Sequence, residues 1–444
     1  MARPKLAFLN DFVQAIVGND RKERQPRITE EAAARTALAR PAAERLAAAC
    51  DVLMGRIGDA ARVAVAEQAL AAYADLNAEE RHQFFILLRD RFGADPEKIR
   101  QAYAAYDADP SASTLVPLFD AVEPTRQSLL RRLNTARGAT LKLVHMRADL
   151  LAAIRHDPAL APLDTDFEHL FRSWFNRGFL RIERIDWSSG ADVLEKIMAY
   201  ESVHPMQGWQ DLRRRLDPAD RRCYAFFHPA TGNEPLIFVE VALTRQTPAE
   251  IAPILNAPRA EPAEEADTAV FYSINNTLGG LKGVSFGNFL IKQVVAELAA
   301  ELPSLRTFVT LSPAPGFANW LASAEDPRAA ELEEDLAKAA WTSDPEAAAQ
   351  LRPRVEALAA TYFTEAKGKS GAPRDPVARF HLGNGAAAWR VNWPADLSEG
   401  AIQRAHGLMI NYLYEPGAIE SQHEAFVRDG TVATGEPLDA VLAR

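Results

Sequence analysis

Ser312 stands between an apolar run, Thr307-Phe-Val-Thr-Leu311, and two prolines, Pro313 and Pro315. A serine in that setting can attack as a nucleophile, donate a hydrogen bond to a developing oxyanion, or satisfy the backbone where a strand ends. No G-x-S-x-G elbow frames it, which argues against an α/β-hydrolase. Two histidines also sit at the ends of expected elements: His204 in Ser202-Val-His-Pro-Met206 and His381 in Arg379-Phe-His-Leu-Gly383. Each reads either as a structural imidazole or as an acid–base group. His82, His145, His156 and His169 lie in helical sequence and read as ordinary surface or core residues. The 9 histidines and 2 cysteines form no H-x-x-H, H-E-x-x-H or paired-cysteine spacing, so no metal site is expected.

A different chemistry is suggested by Lys282-Gly-Val-Ser-Phe-Gly287-Asn288, which follows a strand-like run and opens a helix. Backbone N–H groups in such a loop point to one spot, and the helix dipole adds partial positive charge that suits a pyrophosphate. The spacing is neither a P-loop nor a G-x-G-x-x-G fingerprint. A glycine turn that lets strand and helix pack closely explains the loop equally well.

The elements that must position these residues change character near Gly178. Before it the chain reads as helical. Leu76-Asn77-Ala-Glu-Glu80 forms a capping box ahead of Phe84, Leu87, Leu88 and Phe92 at helical spacing. Helical patterns cover 97–106, 113–122, 125–136 and 141–154. Residues 1–175 are therefore expected to be an α-helical bundle serving as scaffold or oligomer contact, with no concentration of titratable groups. After Gly178 come strand runs at 179–187, 222–228, 236–243, 268–274 and 307–311, and last strands at 388–393 and 406–414. Ser188 and Ser189 stand as caps for a helix through Met198. Residues 324–374 read as a helical insertion, and Asp375-Pro376 can start a short helix that carries His381, although a strand is also possible there. The fold class is α+β: a helical domain over 1–175, then a mixed-sheet domain over 176–444.

Bulk properties exclude several classes. The net charge of −10 and the absence of a basic stripe argue against nucleic acid. The arginines at 213–215 and 221–222 read as a solvated helix face beside Asp211, Asp217 and Asp220. No apolar run of about 18 residues occurs, so no membrane span is expected. The short apolar patch at the N-terminus is too brief for a signal peptide, and Cys50 and Cys223 offer no disulfide framework, which fits a reducing cytoplasm.

Several blocks in one order resemble malonyl-CoA decarboxylases: Glu201-Ser-Val-His-Pro205, Phe271-Tyr-Ser-Ile274, Gly280-Leu-Lys-Gly-Val284 with Gly287, Leu311-Ser-Pro-Ala-Pro-Gly-Phe317 with Trp320, and Phe380-His-Leu-Gly-Asn-Gly-Ala386. Trp389–Trp393 and Gly407–Tyr414 extend the match. The resemblance implies a helical domain followed by an acetyltransferase-like domain. It implies conversion of malonyl-CoA to acetyl-CoA and CO2 without metal, biotin or pyridoxal phosphate, and homo-oligomers built through the helical half. It places Ser312 and His381 as the catalytic pair. Ser273 and Tyr414 match positions lining the malonyl end, and His204 lies in a matched block and is expected to face substrate. Lys282, Gly283, Val284, Ser285, Phe286, Gly287 and Asn288 match the CoA loop. Ser285 departs from the carboxylate expected there. An acyl-CoA-dependent N-acyltransferase and a non-enzymatic malonyl-CoA sensor are the alternatives.

Overall fold

The structure is a computed structural model that describes residues 41–256, 260–284, 289–369 and 371–444. It divides into two compact units. The first takes Met1–Asn176 together with Pro229–Gly232 and Leu278–Ser285; the second takes the remainder of Arg177–Arg444.

Among its described residues the first unit is helical, from Ala42–Met54 to Ala161–Trp174. The capping box forms as expected: Glu80 N donates to Asn77 Oδ1 at 3.0 Å and Asn77 N to Glu80 Oε2 at 2.9 Å. Phe84, Phe85 and Leu88 of the helix behind it are buried with Leu129, Leu130 and Leu133. Each such side chain removed from water contributes about 1.5–3 kcal/mol. Leu278–Ser285 groups with this unit for a visible reason. Arg147 donates to the carbonyls of Gly280 and Lys282, both at 2.8 Å, while pairing with Asp164 at 2.6 Å. A side chain at Gly280 would collide with the Val144 carbonyl, so only glycine fits. Titratable groups do gather here, against the expectation: Arg81, His82, Asp149, His156 and Asp157 line one cavity of about 520 Å³.

The second unit is built on one mixed sheet. Its strands are β1 (Arg181–Ile185), β2 (Arg221–Phe227), β3 (Pro235–Thr244), β4 (Thr268–Asn276), β5 (Thr307–Thr310), β6 (Ser312–Pro313), β7 (Ala387–Asn392) and β8 (Met409–Leu413). They lie in the order β1-β2-β3-β4-β5-β8-β6, with β7 also on β8. β1 to β4 run antiparallel; β4 and β5 are parallel, Thr268–Phe271 against Thr307–Thr310. A parallel step needs a crossover, and the helix Phe289–Glu301 makes it, burying Leu290, Val294 and Leu298. The chain is thus α+β, with a helical N-terminal region followed by a mixed sheet. The expected insertion contains the helices Pro327–Ala337 and Pro345–Thr364.

Two local expectations are corrected. The helix Ala191–Tyr200 starts behind Gly190 with no side-chain cap, because Ser188 and Ser189 bond Asp186 instead. The arginine run is not a uniform solvated face. Arg213 and Arg214 are exposed, but Arg215, Arg221 and Arg222 are buried, paired with Glu240, Asp220 and Glu301. Burial of the strand β2 takes its arginines inside, where each needs a carboxylate.

Candidate active site

The two catalytic candidates meet. β5 ends at Thr310, Leu311 N donates to the Phe271 carbonyl, and Ser312 then pairs with Ile410 of β8. The prolines therefore do not end a strand ahead of Ser312; Ser312 and Pro313 themselves form the short edge strand β6. His381 comes from a helix, Pro376–Gly383, rather than a strand. Asp375 caps it, accepting from Val377 N at 2.8 Å and Ala378 N at 2.9 Å, with Pro376 at the first position. The result is a distance of 3.1 Å between Ser312 Oγ and His381 Nε2.

A chain of hydrogen bonds fixes this pair. Tyr414, held by its backbone N–H on the Phe308 carbonyl, places its hydroxyl 2.8 Å from His381 Nδ1. Burial pushes the Tyr414 phenol well above its ordinary range, so it keeps its proton and donates it to Nδ1. The network thereby assigns the remaining imidazole proton to Nε2, facing Ser312. Ser312 donates in turn to Thr310 Oγ1 at 2.8 Å, which also accepts from Tyr412 N at 3.0 Å. The His381 ring stacks on Tyr412 with centroids 4.6 Å apart. Burial alone pushes the imidazole down to about 3, so it is neutral at physiological pH.

Ser312 and His381 line a cleft of about 330 Å³ with Ser273 and an apolar wall that includes Phe271, Val377 and Phe380. Tyr414 is not among the residues lining it; it supports His381 from behind. His204 lines a neighbouring cavity of about 510 Å³ that shares Val203, Pro313 and Val377 with the cleft. Its buried Nε2 has no partner among the described residues, and burial pushes its imidazole down to about 4. Lys282 and Gly283 are exposed, Val284 is buried and Gly283 has φ +80°, while Ser285, Phe286, Gly287 and Asn288 lie outside the described residues.

Sequence reasoning passed over the residues that orient the site. Thr310 and Tyr412 lie two positions from Ser312 and Tyr414, and Asn275 two from Ser273, so strand periodicity already put each pair on one face. Glu201 gave a further signal as the carboxylate at the head of a matched block. It is buried and accepts from Ser273 Oγ, Asn275 Nδ2 and the backbone N–H groups of Val203 and His204.

Fold and site define an α+β protein whose sheet unit holds a buried Ser–His pair in a mostly apolar cleft. The model of the malonyl-CoA decarboxylase C-terminal domain matches residues 178–444, and that of the N-terminal domain residues 92–175. This chain belongs to the malonyl-CoA decarboxylase family. The solved malonyl-CoA decarboxylase of Rhodopseudomonas palustris is 49% identical with TM-score 0.86, covering 90% of this chain and 99% of that one. That of Agrobacterium vitis is 47% identical with TM-score 0.85, covering 90% and 100%. The mitochondrial malonyl-CoA decarboxylase of Anser anser anser is 36% identical, covering 74% of this chain and 73% of its own.

Proposed function

We propose that this chain decarboxylates malonyl-CoA to acetyl-CoA and CO2, with Ser312 and His381 as the catalytic pair. The observation that carries the reading is the contact of 3.1 Å between Ser312 Oγ and His381 Nε2 in a cleft of the unit that matches the family's C-terminal domain. Most decarboxylations borrow an electron sink from a cofactor. Malonyl-CoA carries its own, the thioester carbonyl β to the carboxylate. The bond between C2 and the carboxylate carbon breaks, and its electron pair passes into the thioester as an enolate. The enolate carbon then takes a proton, so one proton is consumed per CO2 released.

Each step finds a group. A donor aimed at the enolate oxygen is worth about 3–4 kcal/mol, or 10²–10³ in rate, and Ser312 does that work by turning its hydroxyl from Thr310 Oγ1 to the enolate oxygen when substrate binds. His381 holds its Nε2 proton toward the cleft; a thioester enolate is a strong carbon base, and a positioned proton donor adds about 10²–10⁴. Tyr414 holds Nδ1 by its hydrogen bond while Nε2 gives up its proton, and a proton entering from solvent through the cleft restores Nε2–H. The apolar wall hydrates a carboxylate poorly and so favours its loss as neutral CO2.

The CoA loop, Lys282–Asn288, stays with this proposal through the matched sequence. Self-association through the helical half is also part of it, supported by Tyr103, Leu115, Val116 and Phe119, which are exposed on helices that bury no residue. The described residues hold no helix long and apolar enough to cross a membrane. We place the chain in the cytoplasm, a reading supported by Cys50 and Cys223, both buried and free.

One assay tests the reading. Pure protein is incubated with malonyl-CoA while CO2 and acetyl-CoA are followed, for wild type, His381→Ala and Ser312→Ala. Both variants lose CO2 release by at least 10²-fold while keeping CoA affinity. Normal turnover in either removes it from the mechanism. Release of free CoA only when an amine is added identifies an acyltransferase, and intact malonyl-CoA bound to wild type identifies a sensor.

A further inference from the structure

Ser273 lines the cleft, and its hydrogen-bond polarity is set from behind. The assignment begins with a backbone N–H, which can only donate. Ser202 N donates to Asn275 Oδ1 at 3.0 Å, and Ser202 Oγ donates to the same oxygen at 2.8 Å. That orients the amide, so Asn275 Nδ2 faces inward and donates to Ser273 Oγ at 2.8 Å and to Glu201 Oε2 at 2.9 Å. Ser273 Oγ therefore receives one bond and gives its own proton to Glu201 Oε2 at 2.7 Å. The other carboxylate oxygen is held by Val203 N at 2.8 Å and His204 N at 2.7 Å. Every partner named is a donor, so Glu201 acts throughout as an acceptor. Arg215, 3.9 Å away and bonded to Glu240 and the His204 carbonyl, supplies the counter-charge.

A serine in this state has no proton left for the cleft. It cannot donate to a malonyl carboxylate; it presents one lone pair and accepts. An acyl-CoA carries no donor on its acyl group, and the first N–H beyond its thioester sulfur is an amide of the pantetheine arm. We propose that Glu201 is a positioning residue that holds Ser273 as a hydrogen-bond acceptor for a pantetheine amide N–H of the acyl-CoA. Ser273 then grips the part of the ligand shared by substrate and product, not the carboxylate that leaves. This rests on the decarboxylase reading above and specifies which part of the thioester Ser273 recognises.

The test uses a ligand that lacks the carboxylate. Acetyl-CoA affinity is measured by titration calorimetry and malonyl-CoA turnover by CO2 release, for wild type, Ser273→Ala, Glu201→Gln and the double variant. Losing one neutral hydrogen bond weakens acetyl-CoA about three- to tenfold and raises KM for malonyl-CoA by the same factor, with kcat within about twofold. Because Glu201 acts through Ser273, the double variant matches Ser273→Ala in acetyl-CoA affinity, whereas a merely structural role makes the two losses add. If Ser273→Ala leaves acetyl-CoA affinity unchanged, or weakens malonyl-CoA alone, the assignment is overturned. If Glu201→Gln does not fold, Ser273→Ala alone decides the recognition claim, and Glu201→Asp, whose shorter side chain draws the carboxylate back from Ser273 Oγ, takes the place of Glu201→Gln in the cycle. Wild type that releases CO2 while Ser273→Ala fails the test defeats this inference only; wild type without CO2 release defeats the decarboxylase reading itself.

Discussion

Tyr414→Phe removes one oxygen atom and leaves the ring. That oxygen lies 2.8 Å from His381 Nδ1, and both side chains are buried, so no solvent replaces it. A buried nitrogen left without its partner costs about 1–3 kcal/mol. The same bond keeps the Nε2–H tautomer facing Ser312, so its loss falls on the population of productive imidazole. If the whole penalty appears in the barrier, kcat falls about 5- to 150-fold. KM stays within about threefold, because Tyr414 is not among the residues lining the cleft. The assay is CO2 release against malonyl-CoA concentration, with thermal denaturation run alongside. Unchanged kcat in a destabilised protein would show that Tyr414 only packs the core. A raised KM with unchanged kcat would show that it touches substrate, and either result refutes the tautomer argument.

Two predictions concern stability. Gly280→Ala drives a methyl group into the Val144 carbonyl, 1.8 Å from the ideal Cβ position, and lowers the stability of the helical unit by about 1–3 kcal/mol in urea titration; an unshifted midpoint overturns the packing claim. His381 titrates near 3 in the folded chain, below its ordinary 6.5, so between those values the unfolded chain takes up a proton that the folded chain refuses. Its neutral burial therefore costs nothing above pH 6.5, and stability falls on acidification by about 1.4 kcal/mol per pH unit. Glu240 and Glu201, both raised by burial, and His204, lowered by it, cancel when wild type is compared with His381→Gln. The variant gains on wild type as pH drops from 6.5 to 4 in urea titrations, and parallel curves overturn the assignment of a neutral buried imidazole.

The legible parts of the sequence were those governed by local chemistry. Asn77 and Glu80 cap a helix because three residues separate a short acceptor from a carboxylate, and Asp375-Pro376 starts one because proline needs no donor there. The hairpin β2–β3 followed from two apolar runs around Pro229–Pro235. What local pattern missed was pairing across strands. Arg215 was hidden in an arginine run, and its partner Glu240 lies 25 residues away on β3. Yet Glu240 was itself a signal: one carboxylate inside Leu236–Leu243, an otherwise apolar strand, has to find a cation once the strand is buried. The role of Ser312 likewise depended on His381, 69 residues on, which only the matched family blocks joined to it in sequence.

The site's polar groups are mostly occupied by one another. Glu201 takes the protons of Ser273 and Asn275, Thr310 takes that of Ser312, and Tyr414 fills His381 Nδ1. What faces the cleft is then an imidazole N–H and a serine oxygen beside Phe271, Val377 and Phe380. On the proposed reading this economy follows from the substrate. A malonyl thioester holds its own electron sink, so additional donors near the carboxylate would stabilise the ground state as much as the transition state and gain nothing in rate. A network that turns its donors inward leaves the carboxylate poorly solvated and reserves the cleft's remaining donors for the charge that develops as CO2 departs.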